Sequence, residues 1–344
     1  MVRNKEINRS NNFDFLRLLF SSLVIVSHSY PLTKQPEIIA VFTKQQLSLG
    51  SLSVDCFFIM SGYLIMTSLQ RSKTPQEYIW KRLLRLYPAF IVLLIITMLF
   101  LPFVYQGTNI LRENSYQTYF QNALSLYNIQ YEVTGVFENN PYPKAINGSL
   151  WSLSYEFTMY IALLLLFLLR KNKNLIFIVT GIFLFSFYCM ISENYILGII
   201  MQKLALVPDF FYKLCTYFLA GSILALINFK KLNTLSLRLI LAALLVVSLY
   251  FNIYKFISPL ALPLLIIFIG TNKNKYISEV GKKIGDISYG VYIYGFLVQQ
   301  TLMHFFGFGT LKLMLASMII TYIFAYLSWH FVEEKMLKFK NFIK

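Results

Sequence analysis

Charged residues are scarce in this 344-residue sequence. Only 13% of its residues are Asp, Glu, Lys or Arg, whereas a soluble globular domain carries about 25%. Cysteine is scarce too, and Cys56, Cys189 and Cys215 lack metal-ligand spacing, which favours buried thiols. With 57% of its residues apolar, the chain falls outside the usual soluble classes and belongs with multi-spanning membrane proteins.

Ten apolar runs account for this composition. Most have about 17 to 22 residues, which suits a hydrocarbon layer about 30 Å thick. They cover Phe15–Leu32, Leu47–Leu69, Leu83–Tyr105, Leu150–Leu169, Leu175–Ser192, Phe210–Ile227, Leu235–Phe251, Phe256–Gly270, Ile284–Phe305 and Leu311–Phe331. Pro259 and Pro263 interrupt the eighth run, and residues 118–129 are too short and polar to cross. We predict an all-α polytopic membrane bundle of about ten transmembrane helices, in one domain over residues 1–344.

Acidic residues are half as numerous as basic ones, 15 against 31. If the runs alternate across the bilayer, most basic residues share a side with the N-terminus. The positive-inside rule then predicts cytoplasmic N- and C-termini, so the net charge of +16 does not require a nucleic acid partner. Residues 106–148 form a long extracytoplasmic connection, a length typical of functional loops. The N-terminus resembles a signal peptide, but residues 27–30 are a poor cleavage site, so we expect a retained helix.

Two ionisable residues, Arg17 and His28, lie in the first apolar run. Their spacing is roughly 20° beyond three helical turns, so both side chains lie on one face, about 16 Å apart. Such residues are costly inside a membrane and usually mark a substrate or proton path. His28 is a natural general base, although a hydrogen bond to a backbone carbonyl would also explain it. Asp14 can pair with Arg17, in this path or as a surface anchor.

Carboxylates also occur in the second and fourth runs. Asp55 is either a hydrogen-bond acceptor in helix packing or the partner of a charged group. Ser149, Ser152 and Glu156 are spaced i, i+3 and i+7, so they form one polar stripe. A carboxylate at the depth of Glu156 needs a partner, a proton or a water-filled cavity. His28, Asp55 and Glu156 are predicted at similar depths in the outer half, which permits contact between them.

Two arginines, Arg82 and Arg85, open the third run at the predicted cytoplasmic boundary. One interpretation is an ordinary positive-inside anchor. The other is a guanidinium clamp for the phosphates of a cytosolic donor, because guanidinium groups match phosphate oxygens in a bidentate manner. The spacing of the two residues fits both interpretations.

Five short motifs, in this order, resemble the integral-membrane acyltransferase-3 family, whose members O-acylate carbohydrates at the bacterial envelope. The motifs are Phe13–Arg17 followed by His28, Ser53–Ile65, Arg82–Arg85, Gly148–Glu156 and Ile287–Tyr292, and the Trp329–Glu333 exit is similar as well. The resemblance covers nearly the whole chain. It implies ten helices in the bacterial cytoplasmic membrane and transfer of an acyl group from cytosolic acyl-CoA to a sugar hydroxyl.

On this basis we expect acetyl-CoA as the donor, no metal, and a carbohydrate acceptor that is free or lipid-linked. The resemblance implies functional roles for His28 and Glu156, our expected catalytic residues, and for Arg17, Arg82 and Arg85, which would bind the donor. We hypothesise that Asp14, Asp55, Ser149, Trp151 and Ser152 bind the acceptor. His28 would act as a general base, or would take the acyl group transiently as a nucleophile.

Two departures from the family pattern affect this expectation. Many members carry a histidine roughly where Gly295 stands here, so any role of that histidine is absent or moved. Some members carry an extracytoplasmic hydrolase-like domain; we expect the form without it, with direct transfer or a separate partner completing the reaction. The alternatives are a scaffold and a transporter or flippase, although the two halves show no matching broken helices.

Overall fold

The computed structural model describes residues 11–274 and 276–343. Residues 1–10, on which the predicted cytoplasmic N-terminus falls, and Lys344 at the C-terminus lie outside the described residues. Ten long helices dominate the described part, which otherwise holds short helices, turns and two isolated β-bridges. The long helices are α1 (Phe13–Leu32), α2 (Leu49–Arg71), α3 (Pro75–Phe100), α4 (Trp151–Leu165), α5 (Leu175–Ser192), α6 (Pro208–Leu226), α7 (Leu235–Tyr250), α8 (Tyr254–Thr271), α9 (Ser288–Phe306) and α10 (Thr310–Ser328).

Each predicted apolar run coincides with one of these helices, so the all-helical polytopic prediction is confirmed. Within the described residues, seven segments are long and apolar enough to cross a membrane, namely α1, α2, α3, α5, α6, α8 and α10 with their extensions. Helix α7 is also apolar but is shorter than these seven segments. Helix α8 is continuous despite Pro259 and Pro263. The chain is therefore a multi-pass membrane protein.

Helix α3 begins eight residues before the predicted run. Thr74 caps it by accepting a hydrogen bond from the Glu77 amide at 3.1 Å, and Pro75 occupies the first helical position, where a missing N–H costs nothing. Hydropathy alone could not detect this start because the first turns are polar. As a result, Arg82 and Arg85 lie on regular helix, and their side chains can point into the bundle.

Helix α9 begins later than predicted, at Ser288 instead of Ile284. A short helix, Val280–Ile284, precedes it and ends at Gly285, whose φ of +84° suits glycine. Asp286 lies in the break between the two helices. The break gives this carboxylate a fixed position at the inner end of the bundle, by which we mean the end that holds Phe13.

Close backbone contact joins α2 to α6. A side chain at Gly62 would overlap the backbone carbonyl of Phe218, and one at Gly221 would overlap that of Ile59. Ser222 Oγ also donates to the Gly62 carbonyl at 3.2 Å. Small residues are the usual means of close helix approach in membranes, where no hydrophobic effect drives association.

The connection between α3 and α4 is tied to the outer end of the bundle. It contains a helix, Asn114–Leu124, which overlaps residues 118–129, the segment that the sequence marked as too short and polar to cross. Gln300 of α9 donates to the carbonyls of Tyr142 and Ala145 at 2.9 and 2.7 Å, and Asn140 donates to its side chain at 2.9 Å. These buried hydrogen bonds hold the connection over the outer end of α9.

We expect Gly62→Ala to lower the apparent melting temperature of the purified protein, because the added methyl group must push α6 away at a cost of about 1–3 kcal/mol. The matched control is Gly181→Ala in α5, where nothing lies within 4 Å of the new Cβ. That change should leave stability unchanged or raise it by up to about 1 kcal/mol through helix propensity. Equal melting temperatures for the two variants, measured by intrinsic fluorescence, would contradict the close-contact account.

Candidate active site

Polar side chains of α1, α2, α3, α4 and α9 face one another inside the bundle. They form three groups along its length, which we call the inner, middle and outer clusters. The inner cluster holds Arg17, Arg85 and Asp286, the middle cluster holds Ser61, Arg82, Glu156 and Tyr160, and the outer cluster surrounds His28.

In the inner cluster, two guanidinium groups share one carboxylate. Arg17 Nη1 and Arg85 Nη2 both donate to Asp286 Oδ2, Arg85 at 2.7 Å. Ser288 Oγ donates to the other carboxylate oxygen at 2.6 Å. Arg17 also lies 3.5 Å from Asp14 Oδ1, so the predicted pairing of these two residues is present. The cluster links three helices through one carboxylate.

The charge of Asp286 is fixed by its neighbours. Burial alone would raise the pKa of its carboxyl group, but the guanidinium groups of Arg17 and Arg85 and the Ser288 hydroxyl outweigh burial and lower it from 3.8 to about 2. The carboxylate is therefore ionised throughout the physiological pH range. Sequence reasoning missed Asp286, although it is the single acidic residue within the predicted run Ile284–Phe305, a signal that a systematic search would have found.

Glu333 is a second acidic residue next to this cluster that the sequence did not single out for a role. It is buried at the end of a π-helical turn, Trp329–Glu333, a backbone feature often found at functional sites. Ser328 Oγ donates to Glu333 Oε1 at 3.2 Å, while Oε2 has no partner among the described residues. The ring of Trp329 lies 5.8 Å from the Arg85 guanidinium, a cation–π distance.

The middle cluster surrounds Glu156. Its Oε1 accepts hydrogen bonds from Ser61 Oγ at 3.1 Å and from the Tyr160 hydroxyl. Arg82 lies 6.0 Å from the Tyr160 ring and 6.0 Å from that of Tyr78. The predicted need of Glu156 for partners is therefore met by two hydroxyl groups, with a positive charge nearby.

Arg82 is the guanidinium group with unused capacity. Its one side-chain hydrogen bond to a described residue goes to Ser68 Oγ at 3.3 Å, and its Nε is buried without a partner there. No described carboxylate lies within ion-pair distance of it. Arg82 and Arg85 are three residues apart, yet one faces tyrosine rings and the other an aspartate, so they differ in their freedom to bind an anion.

In the outer cluster, the imidazole of His28 packs edge-on against Phe296 of α9, with ring centroids 5.2 Å apart. The described residues offer it no hydrogen bond. Its neighbours on α1 are engaged: Ser27 Oγ donates to Glu37, and Ser29 Oγ accepts from Gln299 at 2.8 Å. The imidazole thus lies against α9, and its ring nitrogens are available for a substrate.

Tyr292 of α9 connects the outer and middle clusters. Its hydroxyl donates to the Ser149 carbonyl at 2.7 Å and lies 2.7 Å from Ser152 Oγ. On α9, Phe296 lies one helical turn after Tyr292, and on α4, Glu156 lies one helical turn after Ser152. No hydrogen bond or ion pair joins Glu156 to His28 among the described contacts, so the contact that their similar predicted depths permitted is not made directly.

Three residues that the sequence predicted to bind the acceptor have surroundings other than the three clusters. Asp55 is buried and lies 3.1 Å from Lys213 Nζ of α6, so of its two interpretations the structure shows the partner of a charged group. Trp151 also faces α6, with its ring centroid 4.9 Å from that of Phe210. Ser149 is buried, and its hydroxyl has no partner among the described residues.

The packing at Gly295 accounts for the absence of the histidine that many members of the family carry near this position. A Cβ at this position would lie 2.9 Å from Ile25 Cγ1 of α1, which is tighter than side-chain contacts normally allow. An imidazole could not fit without separating α1 from α9. In this chain, the close contact of the two helices that carry His28 and Tyr292 occupies that space.

The architecture defines a polytopic membrane protein with ionisable residues along its interior. A family model described as an acyltransferase domain matches residues 10–330. The chain belongs to this acyltransferase-3 family and is a membrane-bound acyltransferase.

Two curated relatives are similar to the chain. The O-acetyl transferase of Shigella phage Sf6 is 28% identical over 347 residues, which cover 96% of this chain and 97% of the relative. Nodulation protein 10 of Rhizobium leguminosarum bv. viciae is 29% identical over 175 residues, 48% of this chain and 46% of the relative. No solved structure matches.

We expect Asp286→Asn to destabilise the protein by about 3 kcal/mol, because it leaves two partly buried guanidinium groups without their shared charge. Since the pKa of Asp286 is lowered on folding, this contribution is present above pH 3.8 and is lost as the pH falls towards about 2. Glu193→Gln, which breaks an exposed ion pair with Lys255, is the control and should change little. Similar urea or thermal stability of both variants would argue against this role of Asp286.

Proposed function

We propose that this acyltransferase is an O-acetyltransferase of the bacterial cytoplasmic membrane. It moves an acetyl group from cytosolic acetyl-CoA to a hydroxyl group of an envelope or secreted carbohydrate. The observation that carries the proposal is the placement of two incompletely satisfied groups along one interior: the Arg82 guanidinium towards the inner side and the His28 imidazole towards the outer side. The nearly full-length similarity to a relative named O-acetyl transferase supports the acetyl group.

On the donor side, Arg82 is the principal phosphate ligand. Its free donors can form charge-assisted hydrogen bonds to the coenzyme A phosphates. Arg17 and Arg85 also lie towards the inner side, but they share the Asp286 carboxylate. They therefore attract the anionic donor less strongly than two free guanidinium groups would. Glu156, held by Ser61 and Tyr160, balances the charge of Arg82 and positions the thioester arm.

On the acceptor side, His28 removes the proton from the attacking hydroxyl group. The oxygen attacks the thioester carbonyl carbon, the carbon–sulfur bond breaks, and coenzyme A leaves as its thiolate. In the two-step version, His28 first takes the acetyl group and then gives it to the acceptor. Both versions need an imidazole whose nitrogens are not committed to protein hydrogen bonds, and His28 meets that requirement.

A transporter or flippase for a glycan is the rival function. Such proteins often consist of two related halves, with matching broken helices around a central site. Here the three clusters are built from residues of α1 to α4 and from residues at or just before α9, and none of the residues named in them comes from α5 to α8. Purified protein that incorporates labelled acetyl groups into glycan supports the enzyme; movement of unmodified glycan without incorporation would support the rival.

We expect His28→Gln to lower acetyl transfer by about 10²–10⁴-fold, the usual contribution of a general base, while the protein still folds. The control is His304→Gln, because His304 packs against Phe137 and Phe305 at the outer end of α9, away from the three clusters. Transfer of radiolabelled acetyl groups in membranes measures both variants. Full activity of His28→Gln would remove the imidazole from the chemistry.

We expect Arg82→Lys to raise the donor KM by about 10-fold or more, because a charge-assisted hydrogen bond is worth about 1.5–3 kcal/mol. Arg85→Lys should have a smaller effect on the donor KM, because its guanidinium group is committed to Asp286. Arg238→Lys, a change at an inner arginine bonded to Asn233, is the control for general charge effects. A donor KM that does not respond to Arg82→Lys would contradict the phosphate-ligand role.

A further inference from the structure

A second concave region lies at the outer end of the bundle, beside the start of α4. It is a cavity of about 350 Å³ between the α4 start, the loop after the helix Asn114–Leu124, and the α6 start. Its walls include the rings of Tyr127, Tyr131, Trp151 and Phe210. We call it the aromatic pocket. Its volume is in the range of small-molecule sites, which are typically aromatic with a few placed polar groups.

Hydrogen bonds to residues of α4 hold the walls of the aromatic pocket in place. The Tyr155 hydroxyl accepts a hydrogen bond from the Val207 amide at 2.9 Å, and the Tyr127 hydroxyl accepts one from Thr158 Oγ1 at 3.1 Å. Ser154 Oγ donates to the carbonyl of Leu126. The loop on one side and the α6 start on the other are thereby fastened to α4.

Two non-glycine residues at the pocket have left-handed backbone conformations. Ala205, which lines it, has a φ of +54°, and Leu126, next to Tyr127, has a φ of +62°. Such conformations are costly for residues with a Cβ and persist where the surrounding contacts enforce them, often at ligand sites. One strained residue lines the cavity, and the other immediately precedes a residue that lines it.

The rim of the pocket has free binding groups. Tyr131 and Phe210 are exposed, 38% and 42% respectively, although both are large aromatic residues. The Tyr131 hydroxyl and the Asn128 side-chain amide make no hydrogen bond to a described residue. Aromatic faces attract the weakly positive C–H groups of a ligand, and the free polar groups can bind its hydroxyls.

We propose that the aromatic pocket binds a pyranose unit of the carbohydrate acceptor. One face of the sugar ring packs on Trp151 and Phe210, and its hydroxyls bond to Asn128 and Tyr131. This inference rests on the proposed function, because the bound sugar belongs to the same acceptor. A lipid chain would use the aromatic faces but would leave the polar rim groups without partners, so the mixture of faces and free polar groups favours a sugar.

The pocket is placed to present an acceptor to the reaction site. Trp151 and Ser152 are successive residues of α4, one facing the pocket and the other bonded to Tyr292. A sugar held in the aromatic pocket therefore lies next to the side of α4 that carries Ser152. Ser152 bonds to Tyr292, and Tyr292 is one helical turn from Phe296, which packs against His28.

The test measures sugar binding without donor, by saturation-transfer NMR on protein in nanodiscs. The probes are methyl glycosides of glucose, galactose and 6-deoxyhexoses. We expect saturable binding of at least one glycoside, weakened about tenfold or more by Phe210→Ala and by Asn128→Ala. The control is Phe251→Ala, an exposed outer aromatic residue (63%) outside the pocket, which should bind like the unmodified protein.

Failure of every glycoside to bind saturably, or equal affinity of the pocket variants and the control, would overturn the proposal. Loss of lipid binding in the pocket variants, with no sugar binding, would identify the pocket as a lipid site and also overturn it. The experiment measures sugar binding in the absence of donor and is therefore independent of acetyl transfer. A failure of the proposed function would appear as absent transfer with sugar binding retained, and a failure of this inference as the reverse.

Discussion

The cost of placing charge in hydrocarbon constrains this structure more than any other factor. An ionisable group within the bilayer must face the protein interior and find a partner there. Arg17, Arg85 and Asp286 meet this constraint together, since two cations and one anion from three helices form a single ion-paired unit. The positions of α1, α3 and α9 relative to one another are thereby set by electrostatics as well as by packing.

The same constraint separates groups with complete sets of partners from groups that keep unused hydrogen-bonding capacity. The Asp286 carboxylate and the Gln300 amide, which tie elements of the fold together, have complete sets of partners. His28 and Arg82, in contrast, keep unused hydrogen-bonding capacity inside the bundle. A buried group without partners costs stability, and a substrate that supplies the partners recovers that cost on binding. The unsatisfied groups are therefore where substrate binding gains most free energy.

Much of the fold could be predicted from sequence, because apolar runs of membrane length can form little other than helices in a bilayer. The errors lie at ends where polar residues continue a helix, as before Arg82, or where a glycine interrupts one, as at Gly285. For the site, residue types on one helix could be identified, but their partners on other helices could not. Tyr160 became visible only through the packing, and the sequence could not tell that Glu156 bonds to Ser61 instead of contacting His28.

The separation of the clusters suits the proposed transfer across the membrane. Arg17 and His28 are about 16 Å apart along α1, so no single small substrate can contact both. A donor with a long flexible arm can be bound by its phosphates near the inner end while its thioester extends past the middle cluster. The acceptor then needs to enter only the outer end, where α4 carries both the aromatic pocket and the Ser152–Tyr292 contact. In the proposed reaction, the polar groups between the two ends would allow the acetyl group to cross most of the bilayer while it remains attached to the donor, so that the charged donor does not have to enter lipid.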